Sequence, residues 1–380
     1  MKLTENQSKW VEETLSRMAK KMEKVRERSA EKIPYDTKDG IHADKSDERN
    51  ISWWTNGFWG GIMWQMHALT GEKRYQEIAR WSEEKLDTCF LHYDMMDHDN
   101  GFKWLPTAVA DYRVTGNERS KKRGLLAAEV LAGRYNPAGK FLRAWNDWEG
   151  SDVDRSGWAI IDCMMNLPLL YWASEETGDP RFAQIAVSHA HTAREHFIRG
   201  DGSANHIVEF DLETGEMVKS YGGQGCGEGS SWTRGQSWAL YGFALSYLHT
   251  KDSAFLETAE RVANYFIANI PESGLIPVDF RQPLEAGFLD ATAAAIASCG
   301  LIELSKLTDG RQSRIYLRAA LKMLEAIEEE CFCWNELEDN LLTRCSAAYH
   351  DKEHEFSIIY GDYYFLEALM KLNGRELFIW

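Results

Sequence analysis

Two aspartates carry the best claim to chemistry. Asp162 sits inside the apolar run WAIIDCMMNLPLLYW, where an ionised carboxylate is costly unless it is paired or used. A carboxyl buried in such a run keeps its proton to higher pH, which suits a general acid working near neutrality. Asp99 lies in DHDNGF, just ahead of another helix-like run. A structural acid competes for the first position and a helix cap for the second, and Asp97 competes with Asp99 for either role. Arg234 stands in WTRGQSW between Trp232 and Trp238, with Gln236 beside it. An arginine so flanked can fork onto a carboxylate while the rings stack on a sugar, with a surface ion pair as the plainer role. His206, in SANHIVEF, falls on a loop, where a lone histidine says little. His98 and His354 show no partner in the sequence. Asp290 and Asp362 read as cap or packing acids. The glycine-rich stretch Gly222–Ser231 lacks the lysine ending and preceding strand of a phosphate loop, and reads as a flexible segment near the site.

The elements that must position these groups repeat. Six polar turns, beginning at Leu69, Val114, Glu176, His249, Leu307 and Leu372, each end one helix-like run and open another. The runs before the turns are apolar on nearly every side, as in ATAAAIASCGLIEL. Those after them are amphipathic, as in RQSRIYLRAALKMLEAI. Helices apolar all round are buried and amphipathic ones face water. With residues 2–31 as the first outer helix, the pattern predicts six inner and six outer helices, an all-α (α/α)6 barrel. Helical hairpins of this kind cannot bury their apolar faces alone and must pack on one another. Parallel inner helices place their lead-in segments at one mouth and the turns at the opposite end. The mouth is then ringed by helix N-termini, which favour an anion.

Composition narrows the class. The 380 residues carry a net charge of −16 with no balancing basic stripe, which argues against nucleic acid. An anionic substrate would then need a local receptor. Fifteen tryptophans, many of them in the lead-in segments, suit the C–H faces of sugars. No apolar run reaches the roughly 20 residues of a membrane span. The N-terminal stretch has no signal-peptide core, and no linker divides residues 1–380, so a single domain is expected. Seven cysteines, mostly in apolar runs, fit reduced thiols in a cytoplasm. Cys331, Cys333 and Cys345 lack metal-ligand spacing, so no metal is expected.

The segments WTNGFWGG, DHDNGF, IIDCMMNLPLLYWA, SSWTRGQSWALYG and YGDYYFLEAL together resemble the unsaturated glucuronyl hydrolases, glycoside hydrolase family 88. The resemblance covers nearly all of the chain from Ser52 to Leu372. It implies the (α/α)6 barrel, Asp162 as the acid/base and Asp99 as the second essential aspartate. Trp54, His206, Gln224, Trp232, Arg234 and Trp238 fall on positions that surround the unsaturated sugar in that family. The implied reaction releases a 4,5-unsaturated uronic acid from the non-reducing end of lyase-generated oligosaccharides, glycosaminoglycan disaccharides in particular, with no cofactor. Two departures, Cys226-Gly227-Glu228 and a short tail after Gly374, fall on regions expected near the substrate. The related unsaturated rhamnogalacturonyl hydrolases fit the IIDCMMNLPLLYWA run less well. A sugar epimerase of the same shape would rely on inner-helix histidines, where only His249 lies, at the turn end. A non-catalytic glycan-binding ring would have no use for Asp162.

Overall fold

The computed structural model describes residues 3–147 and 150–380. Among the described residues, six helices form an inner ring: α2 (Phe58–Thr70), α4 (100–115), α6 (Leu167–Thr177), α8 (Thr233–Thr250), α10 (Ala291–Leu307) and α12 (Ile359–Asn373). Six more wrap around them: α1 (Glu5–Arg28), α3 (Lys73–Lys85), α5 (Glu118–Ala132), α7 (Arg181–His196), α9 (Ser253–Ala268) and α11 (Gly310–Glu330). Each inner helix packs on the next and α12 packs back on α2, so the ring closes as an (α/α)6 barrel. The inner helices bury all sides. Every residue of α10 from Ala291 to Ser305 is buried, whereas α11 buries only one face.

The turns behave as their residues dictate. Gly71, Gly116, Gly178 and Gly374 end inner helices with left-handed backbone, which glycine adopts without steric cost. Lys251 takes the same conformation at the fourth turn. Helix α4 is composite: Asn100–Trp104, a π-helical stretch Leu105–Val109 and Ala110–Thr115. Pro106 lies in the π stretch, where its ring and missing N–H disfavour regular α geometry.

Strands were not foreseen. Antiparallel strands Trp158–Ile160, Ile207–Phe210 and Met217–Tyr221 form a small sheet, with Ile160 opposite Ile207. This sheet draws the segment after α7 back to the start of α6. Among the described residues, no helix is long and apolar enough to cross a membrane.

An aromatic column fills the ring axis. Trp54 contacts Phe102 at 5.3 Å between ring centres, Phe102 contacts Trp238 at 5.0 Å, Trp238 contacts Tyr364 at 5.5 Å, and Tyr364 stacks on Trp380 at 5.8 Å. The tail after Gly374 therefore lies away from the substrate region expected for it. It closes the turn end, where Arg113 donates to the carbonyls of Phe378 and Ile379 and Lys306 pairs with Glu376. Trp380 also donates its Nε1–H to Glu367 Oε2 at 2.8 Å, while Tyr241 donates to Oε1 at 2.5 Å. Replacing a buried tryptophan by alanine costs about 3–5 kcal/mol. Trp380→Ala is expected to destabilise the protein by that order in urea denaturation. A change below about 1 kcal/mol would show that the column does not depend on its last ring.

Candidate active site

Lead-in segments of α2, α4, α6 and α8 line one cavity of about 530 Å³ at the end of the ring opposite the turns. Its wall includes Trp54, Asp97, Asp99, Asp162, Gln224 and Arg234, with Arg49, Trp53, Met95 and Trp145 towards the rim. Five of the eight site residues expected from the sequence thus face one space. The other three, His206, Trp232 and Trp238, are buried behind it.

Asp162 belongs to a 3-10 turn, Ile161–Met165, that leads into α6. Its Oδ1 is buried without a hydrogen-bond partner and lies 3.6 Å from His206 Nε2, too far for a full hydrogen bond. Burial pushes its pKa up to about 7, against the opposing pull of Arg234. Trp238 also holds the carboxyl down, through an indole N–H that lies nearby without a formed bond. The acid is therefore placed to carry a proton near neutral pH and to lose it readily.

His206 is brought to Asp162 by the sheet. Its carbonyl accepts the Ile161 N–H at 3.0 Å, one step beyond the Ile160–Ile207 pair. The backbone N–H of Gln224 donates to His206 Nδ1 at 3.0 Å. That donor makes Nδ1 the acceptor, and burial lowers the ring pKa to about 3, so the neutral ring carries its proton on Nε2, facing Asp162. Gly223 permits this approach: it has φ +56° and a Cβ there would lie 1.9 Å from His206 Nδ1.

Asp99 occupies the cap position of α4, yet its side chain accepts no bond from the helix. The capping acceptor is Asn166, whose Oδ1 takes the Phe102 N–H at 2.9 Å, while Asp97 accepts the Asp99 N–H at 2.9 Å and lies 3.9 Å from Lys103 Nζ. Asp99 Oδ1 instead accepts from Asn166 Nδ2 at 3.1 Å and sits 3.4 Å from His98 Nε2. Burial, with Asp97 and Asp162 nearby, pushes its pKa well above the ordinary carboxylate range. His98 is fully buried, and desolvation keeps it neutral. The residues that sequence reasoning passed over here are Asn166 and Trp145. Asn166 lies in the WAIIDCMMNLPLLYW run, but nothing in its spacing marks it out.

Arg234 is less free than its flanking tryptophans suggested. Its Nη1 donates to Asp290 Oδ2 and to the Ser346 carbonyl, each at 2.6 Å, and Nη2 donates to the Ala347 carbonyl. Three of its five donors are thereby used, leaving Nε–H and one Nη2–H. Asp290 caps α10 through the Thr292 N–H at 3.1 Å, so one acid serves both as cap and as counter-ion. Trp232 packs on the His206 ring at 4.4 Å and under the Arg234 guanidinium at 4.5 Å. Trp238 belongs to the axial column. Neither lines the cavity, whereas Trp54 does. Gln224 lines the cavity and donates Nε2–H to the Ala347 carbonyl at 3.0 Å.

The glycine-rich segment is pinned rather than slack. Asp279 accepts the N–H groups of Cys226 at 3.0 Å and Ser231 at 2.9 Å. Asp362 is a packing acid that accepts the N–H groups of Leu341 and Leu342. His354 stacks on Phe288 at 3.9 Å and bonds the Tyr349 carbonyl. Cys331, Cys333 and Cys345 are free thiols.

Known proteins resemble this chain in sequence and fold. Glycosyl Hydrolase Family 88 matches residues 21–371. The chain is 37% identical over 334 residues to an unsaturated glucuronyl hydrolase of Bacillus sp. strain GL1, covering 86% of this chain and 88% of that protein. It is 32% identical to an unsaturated chondroitin disaccharide hydrolase of Streptococcus pyogenes serotype M1, over 84% of this chain and 80% of that protein. The crystal structure of the unsaturated glucuronyl hydrolase from Streptococcus agalactiae superposes with a TM-score of 0.89 at 30% identity, over 100% of this chain and 94% of that one. Helical ring, paired buried aspartates and match over most of the length agree, and the chain belongs to glycosyl hydrolase family 88.

Proposed function

We propose that this protein hydrolyses oligosaccharides that end in a 4,5-unsaturated uronic acid, with glycosaminoglycan disaccharides as its substrates and the whole chain as one catalytic domain. The observation that carries this reading is Asp162: a buried carboxyl on the cavity wall, unpartnered at Oδ1, with its pKa raised to about 7. Names and chemistry of the relatives point the same way.

The C4=C5 bond of such a sugar is a vinyl ether, conjugated to the ring oxygen. Asp162 gives its proton to C4, and the π electrons form the new C–H bond. Positive charge develops at C5 and is shared with the ring oxygen. The Asp162 carboxylate, now a base, takes a proton from water as that water's oxygen bonds C5. The hemiketal opens as the bond from C5 to the ring oxygen breaks: the C5 hydroxyl gives its proton to that oxygen and becomes a ketone, and the C1 hemiacetal so formed collapses to an aldehyde, its hydroxyl proton leaving with the aglycone. The carboxyl separation that sets stereochemistry in ordinary glycosidases has no bearing on this route, since attack falls on C5. His206 Nε2–H faces Asp162 Oδ1 and stabilises the carboxylate left when Asp162 gives up its proton. Asp99 stabilises the cation or supports the protonation state of Asp162.

Binding follows from the wall. Arg234 offers its two remaining donors to the uronate and Gln224 its side-chain carbonyl to a hydroxyl. Trp54 presents a ring face to the sugar, and Trp232 and Trp238 hold His206 and Asp162 from behind. Helix N-termini and Arg234 supply the local receptor that a chain of net charge −16 needs for an anion. Proton transfer and hydration call for no cofactor. All seven cysteines are unpaired thiols, which supports a reducing, cytoplasmic setting.

Asp162→Asn is expected to keep the fold and bind substrate but to lose about 10²–10⁴-fold or more in turnover, followed as loss of the C4=C5 ultraviolet absorbance. Normal consumption of the chromophore by this variant would sink the assignment. Asp99→Asn should be severely impaired too, and near-normal activity would reduce Asp99 to a structural acid. The pH dependence has a definite sign. Because the raised pKa keeps Asp162 protonated below about 7, kcat/KM should fall about tenfold per unit as pH rises beyond it. A flat profile from pH 6 to 9 would exclude Asp162 as the acid.

A further inference from the structure

Asn166 follows the turn that carries Asp162 and reaches across to the neighbouring inner helix. Its Oδ1 accepts the Phe102 N–H at 2.9 Å, near the start of α4. Its Nδ2 donates to Asp99 Oδ1 at 3.1 Å and lies 3.4 Å from the Asp162 carbonyl oxygen. The amide orientation is unambiguous. A backbone N–H can only donate, so the oxygen of Asn166 must face Phe102 and its NH₂ must face Asp99. Gly101 lets the two segments meet, since a Cβ there would lie 2.5 Å from Asn166 Cα.

This has a consequence for the proton on Asp99. An oxygen that accepts from Asn166 is held as an acceptor, so the proton sits on Oδ2. The other groups around Asp99 do not supply this direction. Asp97, His98 and Lys103 come from its own segment, Asp162 and Cys163 from the next, and Arg134 from the end of α5. They set how strongly the proton is held, while among the described residues only Asn166 donates a formed hydrogen bond to the side chain.

We infer that Asn166 is a positioning residue of the reaction: its amide decides which oxygen of Asp99 carries the proton, and it ties Asp99 to the Asp162 turn so that the two acids meet substrate as one unit. The inference rests on the reading above, in which both aspartates act on the sugar.

Asn166→Asp tests it, because an aspartate keeps the acceptor for Phe102 N–H while removing the donor to Asp99. The expected result is a drop in kcat of about 10–100-fold with KM little changed and a normal thermal transition. The alkaline limb of the pH profile should move upward, because the added negative charge favours protonated neighbours. In an Asp99→Asn background the same substitution should cause little further loss. Infrared titration of the carboxyl bands, which needs no turnover, should show the shift directly. If Asn166→Asp does not fold, Asn166→Gln, which displaces the amide by one methylene, is put through the same measurements. An unchanged limb and unchanged carboxyl titration, or losses that simply add to those of Asp99→Asn, would overturn the inference. Those results leave the proposed function intact; it fails separately if the wild-type protein does not consume an unsaturated disaccharide.

Discussion

The site depends on keeping carboxyl groups out of water without neutralising them by direct ion pairs. Asp99 and Asp162 line the cavity at the mouth of a closed helical ring whose axis is packed with aromatic rings, and both are largely buried. Desolvation favours the protonated form of each. A barrel that leaked water along its axis would restore ordinary carboxylates and remove the acid. The aromatic column and the tail that closes the turn end are therefore tied to the chemistry as well as to stability.

The cations nearby are arranged to respect that constraint. Arg234 is paired with Asp290 at 2.6 Å, which satisfies a buried charge and leaves Asp162 without a salt bridge of its own. Lys103 donates to the Ser52 carbonyl at 3.0 Å and stands closer to the partly exposed Asp97 than to a formed pair with Asp99. His98 and His206 are held neutral by burial. Polar contact with the two acids comes from neutral donors: Asn166 bonded to one, His206 and Trp238 close to the other. Neutral donors orient a carboxyl with less cost to its protonated form than a cation would impose.

Helix ends supply much of this placement. Asp99 is at the cap of α4, Asp162 in the turn before α6, Arg234 in the first turn of α8 and Asp290 at the cap of α10. Parallel inner helices bring all four to one level. The small sheet adds His206, and Asp279 fixes the glycine-rich segment that presents Gln224.

Much of this was legible in the residues themselves. The alternation of all-apolar and amphipathic runs, with glycine at left-handed turn positions, determined six hairpins, because each local signal depends on neighbours in the chain. The same reasoning marked Asp162, since a carboxylate in an apolar run needs a purpose. Other features were open until the chain was folded. Trp232 and Trp238 looked like sugar platforms beside Arg234, but their neighbours from distant helices bury them. Arg234 looked free to grip a carboxylate, but Asp290 and the carbonyls of Ser346 and Ala347 already hold it. Asn166 carried no signal, because its importance lies in Phe102 and Asp99, 64 and 67 residues away. Sequence by itself determined the ring and the end of it where chemistry gathers, for those rest on local periodicity. Which donors face which acids was decided only by tertiary structure, because hydrogen bonds across the ring join residues that no local pattern relates.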